Sequence, residues 1–126
     1  MRLLLLVAAG GAVGSVLRYG ANVLADRWVG SAFPWATLFV NVAGSLAMGL
    51  IFTWIVLRMQ ASAELRALLT TGLLGGFTTF SAFSFDVLQL IERKALGAAA
   101  AYAGASVILS LAGVFLGISL ARTLWP

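Results

Sequence analysis

WATLFVNVAGSLAMGLIFTWIVL, residues Trp35–Leu57, is an apolar run without one charged side chain. Crossing the hydrocarbon of a bilayer by helix takes about 20 such residues. Three further stretches of this kind flank it. Residues 3–24 are broken only by Arg18, residues 65–91 are interrupted by Arg66 and Asp86, and residues 96–120 carry no charge. The connections are short, at residues 25–34, 58–64 and 92–95, and leave no room for a soluble domain between spans. This pattern predicts an all-α membrane protein of four transmembrane helices, one domain over residues 1–126. Trp28, Trp35, Trp54 and Trp125 lie near span ends, where amphipathic rings favour the headgroup region. Arg2 ahead of a leucine run resembles a secretory leader, but the glycine-rich stretch behind it continues as membrane helix, so a retained span is expected.

Composition points the same way. Hydrophobic residues make up 62% of the chain and charged residues 10%, whereas a soluble domain carries about 25% charged residues. Lipid, not water, must cover most of such a surface. The net charge of +4 raises nucleic acid as a partner. The basic residues are scattered at the ends of apolar runs and form no stripe with interleaved aromatics, so nucleic acid is not expected. Cysteine and histidine are absent. That removes disulfides, thiol chemistry and every Ser-His or Cys-His catalytic arrangement. No nucleophile–base pair is present, and no enzyme is expected.

Charge gives little orientation. With four spans, Arg2, Arg58, Arg66 and Arg122 fall on one side and Arg27, Arg93 and Lys94 on the other. The positive-inside rule works on the difference between the sides. A bias this small is compatible with one orientation, and equally with insertion both ways and an antiparallel homodimer.

Small residues recur four apart at Gly10/Gly14, Gly72/Gly76 and Gly113/Gly117, a spacing that lets helix backbones approach closely. Polar groups inside the spans are rarer and more telling, because in hydrocarbon they face protein or water. Asn41 is read either as an interhelical hydrogen-bonding residue or as a donor lining a pore. Tyr102, Ser106 and Ser110 recur every four residues and so share one helix face. Such a ladder either bonds back to its own helix or donates to a passing anion.

The third span contains GLLGGFTTFSAFS, residues 72–84. Three glycines and two adjacent threonines predict a helix break around residues 75–79. Irregular backbone at this depth is tolerated where it is buried in protein or lines a cavity. Phe80 and Phe83 follow, three apart. Their positive ring edges suit an anion in a narrow passage that has no fixed cation to trap it; ordinary apolar packing is the other reading.

Taken together these motifs resemble the Fluc family of fluoride channels, also called CrcB. The likeness rests on GGAVGSVLRY at residues 10–19, TLFVN at 37–41 and GGFTTFSAFS at 75–84, in order along the whole chain. It implies a passive fluoride channel of the bacterial inner membrane. The implied assembly is an antiparallel, dual-topology homodimer with two pores. By residue-wise match it implies a fluoride path along Phe80, Phe83, Asn41, Ser81, Tyr102, Ser106 and Ser110. It also implies a structural Na+ at the twofold axis, held by the backbone carbonyls of Gly75 and Thr78 from both subunits. Arg18 matches a family arginine, read as anion-attracting or structural. Two positions depart from the family pattern: Ala82 stands where threonine is usual and Ala36 where glycine is usual. Ala82 thereby lacks a hydroxyl beside the phenylalanines. The competing reading is a small dual-topology, proton-coupled cation or drug exporter. It needs a membrane carboxylate, and the first span has none.

Overall fold

The computed structural model describes residues 1–58 and 61–126, and among these it is entirely helical. The elements are α1 (Arg2–Trp28), α2 (Trp35–Arg58), α3 (Ala63–Arg66), a π-helix (Ala67–Leu74), α4 (Gly75–Phe77), α5 (Phe80–Glu92) and α6 (Leu96–Leu124). Four helical segments among the described residues are long and apolar enough to cross a membrane: Arg2–Trp28, Trp35–Leu57, the composite Ala63–Glu92, and Leu96–Leu124. The four expected spans are therefore present, with longer ends. α1 runs on to Trp28, past the expected end at residue 24, and α6 to Leu124, past residue 120. Of the expected connection at residues 58–64, Met59 and Gln60 lie outside the described residues. Arg58 belongs to α2, and Ser62 caps α3 by accepting the Leu65 N–H at 3.2 Å. The turn after α5 places Lys94 at φ 58°, with Ala95 N–H donating to the Leu90 carbonyl and Lys94 N–H to that of Ile91. This is the helix-ending motif that usually takes glycine.

Burial is inverted relative to a soluble protein. The buried apolar core is small, with Val40, Ile55, Leu74, Leu90 and Tyr102 among its members, whereas most leucines of α1 and many of α6 face outward. Such a surface matches lipid and would not stay monomeric in water. Apolar burial cannot hold helices together in lipid, so close backbone packing must. Glycine provides it at two crossings. A Cβ built at Gly10 would stand 2.5 Å from the Leu68 carbonyl oxygen, and one at Gly14 would overlap the Leu73 carbonyl; Gly76 lies against Gly11 in the same way. Across the molecule, Gly49, Gly113 and Gly117 seat α2 against α6, where a Cβ at Gly117 would collide with the Leu46 carbonyl. All three four-residue glycine spacings read from the sequence are helix contacts.

The break in the third span is narrower than expected. Gly75 is helical, with φ −64° and ψ −35°, and only Thr78 (φ −83°, ψ 158°) and Thr79 (φ −156°, ψ 126°) are extended. Gly72 and Gly76 serve close approach to α1, and the threonines make the break. Before it, the chain spends eight residues as π-helix. Such helix is rare beyond a single turn and is found mostly at functional sites.

Extended backbone inside a membrane must be paired, and Asn41 of α2 pairs it. The Asn41 carboxamide donates from Nδ2 to the Thr79 carbonyl at 2.9 Å and accepts the Thr79 N–H on Oδ1 at 2.7 Å. One side chain thus satisfies both main-chain groups of the residue at the break. The Thr79 hydroxyl then caps α5 by accepting the Ala82 N–H at 3.1 Å. On the near side, the Thr78 N–H and hydroxyl both donate to the Leu74 carbonyl at 2.9 Å, closing α4.

Two consequences are testable. Asn41→Leu keeps the bulk but strands two main-chain groups, each costing about 1–3 kcal/mol. Thermal unfolding in detergent should show a drop of several degrees; an unchanged transition in the leucine variant would contradict the pairing. Gly117→Val should cost about 1–3 kcal/mol through overpacking. Gly97→Ala, with nothing within 4 Å of its built Cβ, should be neutral in the same melt.

Candidate functional site

The break, α2 and α6 enclose a groove of about 570 Å³, open along one side. Its lining brings together Asn41 from α2, Gly75, Thr78, Thr79, Phe80 and Phe83 from the third span, and Ser106 and Ser110 from α6. These residues lie far apart in sequence, and the break is what joins them. By changing the chain direction at Thr78–Thr79 it turns the start of α5 toward α6 and carries Phe80 and Phe83 with it. The two rings sit 5.3 Å apart at 45°. Phe80 is 77% exposed at the open side. Among the described residues, no charged side chain lines the groove.

The hydroxyl ladder is present on α6 but unequal in its rungs. Ser110 is half-buried, whereas Ser106 is buried, and its Oγ has no hydrogen-bond partner among the described residues. A buried hydroxyl without a hydrogen bond is uncommon, and the Tyr102 phenol is the polar group beside this one. Tyr102, the third rung, is fully buried and stands beyond the groove's end. Its hydroxyl donates to Asp86 Oδ2 at 2.9 Å, and its ring packs on Phe83 at 5.5 Å and edge-on to Phe33 at 5.5 Å.

Other expected residues fall elsewhere. Ser81 is exposed on α5, with its hydroxyl 3.2 Å from that of Thr79, and does not line the groove. Ala82 lines a separate cleft on the far side of α5, so its missing hydroxyl faces away from the groove. Arg18 is half-buried on α1 and lines neither cavity. Asp86 and Thr79 are the residues that sequence reasoning undervalued. Asp86 counted as an interruption and as a carboxylate placed too near the third span's end for a proton-coupled exporter, although a carboxylate within a span requires a partner, and Tyr102 was the one phenol on the ladder.

The carbonyls of Gly75 and Thr78 bear on a cation. In a continuous helix the Gly75 carbonyl would accept the Thr79 N–H, and the Thr78 carbonyl the Ala82 N–H. Here the first N–H goes to Asn41 and the second to the Thr79 hydroxyl. Both residues also line the groove. Neutral oxygens freed of helical partners are the ligand type that a hard monovalent cation takes, so the residues present fit such an ion.

Comparison with known proteins agrees with this architecture. Residues 5–118 match the family described as CrcB-like protein, Camphor Resistance (CrcB). A protein of Rhodospirillum centenum named Fluoride-specific ion channel FluC is 54% identical over 123 residues, 98% of each chain. Proteins of the same name from Agrobacterium fabrum and Hyphomonas neptunium are 52% and 48% identical over 120 and 122 residues. They cover 95% and 96% of this chain and 96% of their own lengths. With four apolar spans, one of them broken, and near-complete overlap with these relatives, the chain is a multi-pass membrane protein that belongs to the CrcB-like family.

Proposed function

We propose that this protein is a passive, fluoride-selective channel of the bacterial inner membrane that lets fluoride leave the cell. The observation that carries the reading is the groove itself. Among the described residues, a helix break, an aromatic pair and two serine hydroxyls converge on a lining without charge, and one of those hydroxyls, on Ser106, is buried with the Tyr102 phenol beside it. The relatives' name supplies the ion. Physically, a small anion leaving water must be met by donors. Hydroxyls of Ser106 and Ser110 and the spare N–H of Asn41 offer hydrogen bonds, and the Phe80 and Phe83 ring edges carry partial positive charge. None is a full cation, so the ion is stabilised at each station without being held there. Conduction needs this balance between entering and leaving.

A groove open on one side is half a wall. A second copy set antiparallel would close it, and twofold symmetry then gives two equivalent pores. Near-equal basic charge on the two faces supports dual topology. The same symmetry would bring two Gly75 and two Thr78 carbonyls together around a structural Na+. That ion supplies, when bound, a positive charge that holds otherwise unpartnered oxygens. The proton-coupled exporter reading gains nothing from the fold, because Asp86 is tied to Tyr102.

Purified protein in liposomes should release fluoride rapidly and chloride barely above protein-free vesicles. Phe80→Ile and Phe83→Ile preserve most of the apolar volume, and each should cut fluoride efflux while the protein still elutes as a folded assembly. If the native protein passes no fluoride, the channel reading is lost. If both isoleucine variants run at the native rate, the rings are packing only.

A tag at the C-terminus should report both orientations in cells. The purified dimer should also unfold at a lower temperature when a bulky organic cation replaces sodium. A single orientation removes the antiparallel arrangement, and a melting curve indifferent to sodium removes the central ion.

A further inference from the structure

The groove is not the only cavity along α5 and α6. A second, more polar cleft of about 330 Å³ lies between the end of α1, the loop at residues 29–34 and the later part of α5. Asp86 lines this cleft, and the Tyr102 hydroxyl that it accepts comes from the direction of the groove, where Phe83 and Ser106 lie. Tyr102 lines neither space and is fully buried. Its contacts with Phe83 of the groove lining and with Asp86 and Phe33 of the cleft lining make it part of the partition between them.

Phe33 completes that partition from the cleft side. It lines the cleft, and its ring meets Tyr102 at 5.5 Å and 85°, and Trp35 at 4.6 Å. It comes from a loop whose shape is set locally. Gly30 takes φ +80°, a conformation that residues with a Cβ rarely adopt. The Trp35 N–H donates to the Phe33 carbonyl at 2.8 Å, and Pro34 restricts the backbone between them. The ring is therefore placed by backbone constraints independent of the groove. Phe80, Phe83, Tyr102, Phe33 and Trp35 form one unbroken series of ring contacts from the groove to the cleft.

We infer that Phe33 is a selectivity-determining residue. With Tyr102 it forms an aromatic constriction between cleft and groove that passes fluoride and excludes larger halides. This inference rests on the fluoride-channel reading. A constriction of packed rings discriminates by size, because a larger ion must spread rings that Asp86 and the loop hold in place. Changes of about one methylene in an apolar pocket alter discrimination by about 10–200-fold, and removing a whole ring changes more.

The test compares fluoride and chloride efflux from proteoliposomes for the native protein, Phe33→Ala, Phe33→Leu and Phe33→Tyr, with gel filtration as the check on folding. Phe33→Ala should keep fluoride efflux and admit chloride, lowering the fluoride-to-chloride ratio at least about tenfold. Phe33→Tyr, which keeps the ring, should hold the native ratio. If Phe33→Ala does not fold, Phe33→Leu keeps apolar bulk without the ring and should lower the ratio in its place. An unchanged ratio in the folded ring-deleted variant, or loss of both fluxes, overturns the inference and leaves the channel reading standing. A native protein that passes no fluoride overturns both.

Discussion

The rest of the structure depends on one carboxamide. A span cannot leave helical geometry within hydrocarbon unless something pairs the freed main chain, since each unsatisfied group costs several kcal/mol. Asn41 does so twice, donating to the Thr79 carbonyl and accepting its N–H. Because Asn41 belongs to α2, the bond also fixes where the break sits relative to a neighbouring span. The start of α5 then faces α6, and the groove follows. Capture of the Thr79 N–H by Asn41 is also what releases the Gly75 carbonyl from helical duty. A single side chain thereby shapes both the groove and one of the freed carbonyls beside it.

Glycine sets the distances on which this bond relies. α1 grips the third span through Gly10, Gly11 and Gly14 against Gly72 and Gly76, and α2 grips α6 through Gly49, Gly113 and Gly117. The first contact holds the upstream half of the broken span and the second holds the two outer walls of the groove. Neither involves a charge. Stability therefore comes from backbone approach and shape, leaving polar side chains free to face the groove.

Much of this was legible in the sequence. The length and charge of four runs gave the spans, and the glycine spacings marked the crossings. The threonine pair marked the break, though not its bounds. Counting glycine as a helix breaker placed the break too early. In a membrane helix the same residue is as often a contact, and only the partner's position tells which role applies. The π-helix left no sequence signal, because its register is set by docking on α1. For the site, the structure gathers Asn41, Phe80, Phe83, Ser106 and Ser110 around one groove. The bond from Tyr102 to Asp86 joins residues 16 apart on different helices. Periodicity along one helix cannot show such a partnership, and Phe33, on a loop, belongs to no periodic pattern at all.

The choice of a carboxamide at the break has a further consequence. A carboxylate or an imidazole could also have bridged an N–H and a carbonyl, but only in one protonation state. Asn41 has no proton to gain or lose across the physiological range, and neither does the threonine it serves. The geometry of the break is thus blind to acidity. A cell whose interior sours would leave the break, and the start of α5 that it aims, with their shape.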